Sequence, residues 1–257
     1  MTIKLKEIVV SVFYGGFVFF LALQAPGSSF KDRQLANPRV RAAFQEKEAA
    51  LQELFTRRQL PFPASRIFIR VFKKEKQVEV WVQPQAGGRY TLLNTYEICW
   101  VPGALGPKRR VGDNQVPEGF YFVDRFNPQS QFYLSLGINY PNASDRILGK
   151  AGHLGGDIFI HGNCVTIGCI PITDDKIKEL YLLAVLAKAN GQEQIPVHIF
   201  PARMDEAGWQ QLQTEFKNNP GLLAFWQNLK QGYDRFEQSG QIPQTTVDAE
   251  GRYLFSP

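Results

Sequence analysis

Between Asn37 and Leu60, apolar residues fall at Val40, Ala43, Phe44, Leu51, Leu54 and Phe55, with charged residues between them. Spacings of three, four and seven put these side chains on one stripe of a helix. Pro61 and Pro63 end it. The period then changes to two. Ile67, Ile69 and Val71 alternate, and after the polar stretch 73–77 so do Val78, Val80 and Val82, the pattern of a β-hairpin. Further strands are expected over 90–100, 121–124, 131–136, 157–161 and 197–200, separated by turns rich in Gly and Pro. A helix is expected over 174–189, with Thr173 as N-cap, Asp174 and Asp175 in its first turn and Gly191 as its stop. Its middle, 180–187, is apolar nearly all round, so it must be buried. Helical stretches around 206–217 and 222–233 carry the aromatic anchors Trp209, Phe216, Phe225 and Trp226. The expected architecture is α+β: a mostly β core with one buried helix, flanked by an N-terminal helical segment over 30–62 and a C-terminal helical extension over 203–257.

At the start of the chain, Lys4 and Lys6 precede an apolar run over 8–23. The run is shorter than the roughly 20 residues of a spanning helix, which favours the apolar core of a secretory signal. Pro26 directly after Ala25 and Leu23 two before it fit a cleavage site poorly, so residues 1–25 read as a signal peptide or an uncleaved anchor. Either one takes the rest of the chain out of the cytoplasm.

Composition narrows the function classes. With 257 residues, 44% of them hydrophobic, the chain can bury an ordinary core. The excess of 29 basic over 24 acidic residues is too small and too scattered to point to nucleic acid. Three cysteines, Cys99, Cys164 and Cys169, cannot all pair within one chain, and in an exported protein the odd thiol needs a reason. Cys99, on an expected strand, reads as a core residue. A disulfide between Cys164 and Cys169 is a further pairing.

The chemistry concentrates in 157–172, where an expected strand delivers His161 at its end and a glycine-containing loop leads to Cys169. An imidazole beside a thiol can take its proton for attack on a carbonyl and later protonate a leaving amine. Gly168 leaves room for backbone N–H groups around Cys169 to approach a substrate oxygen as an oxyanion hole. The competing reading is a metal-binding module, since His161, Cys164 and Cys169 are all ligand types for zinc; a structural site takes four, and the segment offers no fourth.

The segment also resembles the signature of the YkuD-type L,D-transpeptidase catalytic domain, in which a His-Gly pair precedes a Ser/Thr-x-Gly-Cys element whose cysteine is acylated. Here these read His161-Gly162 and Thr166-Ile167-Gly168-Cys169. The stretch 106–121, with Pro117-Glu118-Gly119, looks like the strand and turn that precede the site in that family. The stretches 197–204 and 225–233 look like its YafK-like branch, so the likeness spans about 67–233. The commonest signature has a longer insert and a second His where Ile167 stands, whereas the YafK-like branch is short and apolar there.

The resemblance implies a catalytic domain over 65–202 that acts on peptidoglycan stem peptides in the periplasm or cell envelope of a bacterium. It implies no cofactor, no metal and no nucleic acid, and membrane contact only through an uncleaved N-terminal segment. Cys169 is then the nucleophile and His161 the base. Thr166 braces the loop, the Gly162 carbonyl orients the imidazole, and Lys108, Arg109 and Arg110 are candidates for the stem-peptide carboxylates. A thioester on Cys169 passed to an amine makes a cross-link; passed to water, it makes the protein a hydrolase. A wall-binding module with a vestigial site is the non-catalytic alternative.

Overall fold

The structure is a computed structural model that describes residues 28–256. The apolar run over 8–23 lies outside the described residues, and with it the choice between signal and anchor. Among the described residues no helix is long and apolar enough to cross a membrane.

Two helices come first, α1 (Phe30–Leu35) and α2 (Pro38–Arg57). Ser29 and Asp32 close a capping box on α1. Asn37 caps α2 by accepting from Arg39 N, and Pro38 occupies the first turn, where a missing N–H leaves nothing unpaired. The α2 stripe of Val40, Ala43, Phe44, Leu51 and Phe55 is buried. The chain continues through β1 (Arg66–Phe72), β2 (Gln77–Gln83), β3 (Thr91–Glu97), β4 (Gly119–Asn127), β5 (Ser135–Ile138) and α3 (Ala143–Leu148). After these come β6 (Phe159–His161), β7 (Ile170–Pro171), α4 (Thr173–Ala189), β8 (Pro196–Phe200), α5 (Glu206–Glu215), α6 (Pro220–Ser239), β9 (Gln244–Val247) and β10 (Tyr253–Ser256).

The first eight strands form one mixed sheet in the order β3-β2-β1-β8-β4-β5-β6-β7. The β1/β8 and β6/β7 pairs are parallel and the others antiparallel. The chain leaving β3 reaches the other edge of the sheet, where Cys99 N donates to Pro171 O at 2.9 Å. Ile67, Ile69 and Val71 of β1, with the valines of β2, join the core that includes buried residues of α2 and α4. The run 180–187 of α4 is buried throughout, as an all-round apolar segment requires.

The other face of β1 is covered too. Phe68, Arg70 and Phe72 lie in aromatic clusters with Phe120, Phe200, Trp226, Tyr233 and Phe236, built from β4, β8 and α6. Arg70 is only 1% exposed. Its Nη1 pairs with Glu237 at 2.7 Å, and its guanidinium lies 4.7 Å from the Tyr233 ring and 4.9 Å from that of Phe236. Period-two alternation marks one buried face; the second is created by a helix more than 150 residues downstream (Arg70 and Glu237 are 167 apart).

Several elements depart from expectation. The strand expected over 131–136 begins only at Ser135, β7 has two residues, and α3 spans fewer than two turns, too little for a period to register. The 203–257 segment, expected to be helical, ends instead in the β9–β10 hairpin, whose four-residue strands carry no long alternation. That hairpin closes the aromatic layer with Tyr253.

One buried ion pair ties these layers to the long connection between β3 and β4. Lys73, directly after β1, and Glu118, directly before β4, are both fully buried and meet at 2.9 Å. Lys73 Nζ also donates to Gly106 O at 2.7 Å and Val116 O at 3.0 Å, pinching both ends of the 106–116 loop. Glu118 accepts from Gly106 N at 2.8 Å and from Trp226 Nε1 of α6 at 2.7 Å. Every charge here has hydrogen-bonding partners, so removing one side strands the other. Glu118→Ala is expected to cost about 3–5 kcal/mol, because it leaves an ammonium buried without its counter-charge. Trp226→Phe, which removes one charge-assisted hydrogen bond, should cost about 1.5–3 kcal/mol. Equilibrium denaturation checks both, and a Glu118→Ala protein within about 1 kcal/mol of the parent would refute the clamp.

Candidate active site

Strand register places the two reactive side chains. Ile160 of β6 pairs with Ile170 of β7, and both are buried in the core with Ile158 and Ile172. Strand alternation therefore turns Phe159, His161 and Cys169 to the opposite face. Cys169 immediately precedes β7, so it stands beside Phe159, one step along the sheet from His161.

His161 is fully buried and its ring stacks on Phe132, with centroids 4.6 Å apart and planes inclined by 28°. Its Nδ1 lies 2.5 Å from Gly162 O. A carbonyl can only accept, so the proton sits on Nδ1 and the lone pair on Nε2. Nε2 has no partner among the described residues. Burial pushes the imidazole below its ordinary pKa, against the Gly162 hydrogen bond, so the ring is neutral at pH 7.

Cys169 is partly buried and is the one free thiol. Its Sγ donates to Asp157 O at 3.6 Å and does not engage Nε2. Burial pushes the thiol above its ordinary pKa, and the Asp157 carboxylate adds to this; a backbone hydrogen bond with Phe159 and the Lys108 ammonium pull the other way. The resting pair is thus a neutral thiol and a neutral imidazole, with the thiol directed to Asp157 O and not to Nε2.

The loop between them is braced at both ends. Thr166 Oγ1 accepts from Cys169 N at 2.7 Å and Gly168 N at 3.1 Å and donates to Cys169 O at 3.0 Å. The N–H groups of Gly168 and Cys169, expected to face a substrate oxygen, end on Thr166 in the resting structure. Gly168 is required for a different reason: its φ is +150°, and a Cβ there would stand 3.2 Å from Gln115 O of the 106–116 loop.

The disulfide joins Cys99 to Cys164, with Cα atoms 5.4 Å apart. Cys99 is therefore not a plain core residue, and Cys164 does not pair with Cys169. The sequence separation of 65 hides the contact; the curl of the sheet, which brings the chain after β3 to Pro171, creates it. Cys164 is also lost to the zinc reading, and no group of three or more His, Cys, Asp or Glu side chains among the described residues is placed to hold a metal.

The three basic candidates are not equivalent. Lys108 is buried, held by Asp113 Oδ1 at 2.7 Å and Arg110 O at 2.9 Å. Arg109 reaches Asp145 Oδ1 at 3.1 Å and lies 4.8 Å over the Phe225 ring. Arg110 alone is exposed. Lys108 and Arg109 are thus committed within the fold and correct the expectation of a free cationic trio. Asp113 organises the loop, accepting from the N–H groups of Arg109, Arg110 and Gln115, and its carboxyl is held below the usual range despite its burial.

The reading of residue types missed Phe132, the Asp157 carbonyl and Gln115. None lies in the signature segment's pattern of reactive residue types, and each is brought in by backbone course alone.

Comparison with known proteins follows the same lines. A family model described as YkuD, the L,D-transpeptidase catalytic domain, matches residues 66–199. The Escherichia coli strain K12 protein YafK, provisionally named an L,D-transpeptidase, is 40% identical over 195 residues, covering 75% of this chain and 74% of that protein. Its counterpart in Escherichia coli O157:H7 matches equally. Among solved structures, the helical cell shape determining protein Pgp2 of Campylobacter jejuni overlaps with a TM-score of 0.43 and 19% identity, over 71% of this chain and 73% of that one. Bd1075 of Bdellovibrio bacteriovorus gives 0.40 and 20%, over 72% and 78%. Both overlaps are loose.

The neutral resting thiol has a measurable consequence. Only the thiolate is nucleophilic, so the rate of Cys169 alkylation by iodoacetamide should climb with pH through and beyond the ordinary thiol range near about 8.5. A rate already at its plateau below about pH 7 would show a thiolate paired with imidazolium in the resting protein and overturn this assignment.

Proposed function

This chain belongs to the YkuD L,D-transpeptidase catalytic-domain family, and from that membership and the placement of Cys169 and His161 we propose that it is a cysteine acyltransferase of peptidoglycan. The observation that carries the proposal is the imidazole's fixed tautomer: Gly162 O holds the Nδ1 proton and leaves Nε2 basic on the sheet face that carries Cys169.

In this reading Cys169 turns from Asp157 O toward His161, and Nε2 takes the thiol proton as the sulfur attacks a stem-peptide carbonyl. The imidazolium returns that proton to the leaving amine, and a thioester remains. The developing oxyanion can draw on the N–H groups of Gly168 and Cys169 by displacing Thr166 Oγ1, one acceptor for another. Exposed Arg110 is the cation placed to meet a stem-peptide carboxylate. An incoming amine then yields a cross-link, and water yields hydrolysis of the same bond. The chemistry calls for no cofactor. Its substrate lies outside the cytoplasm, in accord with the basic and apolar start of the chain and with a disulfide, which persists in an oxidising compartment.

A carbapenem-type acylating agent is expected to add once to the protein, on Cys169, as read by intact mass, and Cys169→Ala should remove the adduct entirely. Incubation with defined muropeptides and with cross-linked sacculi, analysed by mass spectrometry, then separates dimer formation from cleavage. An unmodified wild-type protein beside an acylated control enzyme would sink the thiol chemistry.

A further inference from the structure

We propose that Ser135 works in this site: its hydroxyl, together with His161 Nε2, holds the nucleophile of the second half-reaction, a molecule that carries two hydrogens on the attacking atom, such as water or a primary amine. The inference rests on the Cys169 thioester proposed above.

Ser135 of β5 is directly opposite His161 of β6 in the antiparallel register. Gly162 N donates to Leu134 O at 3.2 Å, just outside that pair, which makes it a non-hydrogen-bonded pair. Such pairs bring their Cα atoms to about 4.5 Å and their side chains closest together. The neighbouring pair, Leu136 and Ile160, faces the core, so Ser135 and His161 share the other face with Cys169.

Ser135 is 1% exposed, yet its Oγ makes no hydrogen bond. Four buried side-chain polar atoms lack partners among the described residues, and two of them are Ser135 Oγ and His161 Nε2. A buried hydroxyl without a partner costs about 1–3 kcal/mol, a penalty that alanine in the same space would avoid. A purely structural filler at 135 would not need the oxygen. The stacked Phe132 ring shields the imidazole, and with Nε2 itself buried the two facing groups are kept apart from bulk solvent.

The step balances with groups at hand. After acylation the thiol proton has left with the departing amine, and Nε2 is again a free acceptor. The incoming nucleophile gives one hydrogen to Nε2 and directs the other to Ser135 Oγ. As its lone pair forms the bond to the thioester carbonyl, the tetrahedral adduct collapses, the C–S bond breaks, and the proton on Nε2 passes to the sulfur. The thiol is restored with no oxidant or further reactant.

The test uses the full chain and a muropeptide with a tetrapeptide stem under single-turnover conditions. Release of the leaving amine reports thioester formation, and release of the acyl product reports its breakdown. Ser135→Ala should slow release of the acyl product about tenfold or more, the effect of one lost hydrogen bond to a reacting group, and by at least about threefold more than it slows release of the leaving amine. Ser135→Thr, which keeps the hydroxyl, should stay within about threefold of the parent on breakdown. A measurement on the parent itself does not depend on how a variant folds. Glycine should intercept the thioester about tenfold faster than N-methylglycine, whose neutral amine carries one hydrogen, and Ser135→Ala should shrink that ratio to about threefold or less. Breakdown at the parental rate in Ser135→Ala, an equal fall in both half-reactions, or equal interception by the two amines overturns the inference and leaves the thioester chemistry standing. Absence of any thioester in the parent overturns both.

Discussion

The buried Lys73–Glu118 pair is the constraint on which the site's geometry depends. A single ammonium takes the carbonyls at both ends of the 106–116 loop, and the carboxylate that neutralises it takes a backbone N–H from one end and the indole of Trp226. The loop is thereby closed at its neck by one charge and connected to α6 by another hydrogen bond. Inside the loop Asp113 repeats the device on a smaller scale, gathering three backbone N–H groups and the Lys108 ammonium. Its far side then rests against the backbone of Gly168, whose φ of +150° favours glycine. The C-terminal segment is in this way part of the site's construction, through the Trp226 indole.

Around that wall, burial favours the uncharged forms of Cys169 and His161. Burial raises the thiol and lowers the imidazole, so each is held in its neutral form. The opposing influences are weak partners: a backbone hydrogen bond for each, and a lysine already paired with Asp113. The loop that carries these groups is anchored on one side by Thr166 and on the other by the Cys99–Cys164 bridge.

The pattern along the chain was enough to place the helix over α2 and the β1–β2 hairpin, which have regular periods and clear stops, and the buried α4, a long apolar run between an acidic first turn and Gly191. It also drew attention to His161 and Cys169 as an imidazole and a thiol in one segment, and the resemblance of that segment to the YkuD signature is what singled them out as a pair. Lys73, Glu118 and Arg70 could not be read the same way. Each is a charged residue beside an apolar run, and local patterning assigns such residues to solvent. They are buried because α6 and the β9–β10 hairpin arrive from the far end of the chain to cover that face of the sheet.

The sequence by itself determined which segments are regular and where a thiol and an imidazole fall along the chain, since both follow from residue type and spacing over a few neighbours. Tertiary structure alone decided how those atoms are poised. Cys99 meets Cys164 across 65 residues because the sheet curls. Lys108 and Arg109 are withdrawn into ion pairs by a loop closed at its neck. Ser135 faces His161 because two short strands pair in one register. These are contacts between distant parts of the chain, set by register, curvature and the pairing of buried charge, and local patterning carries no information about them.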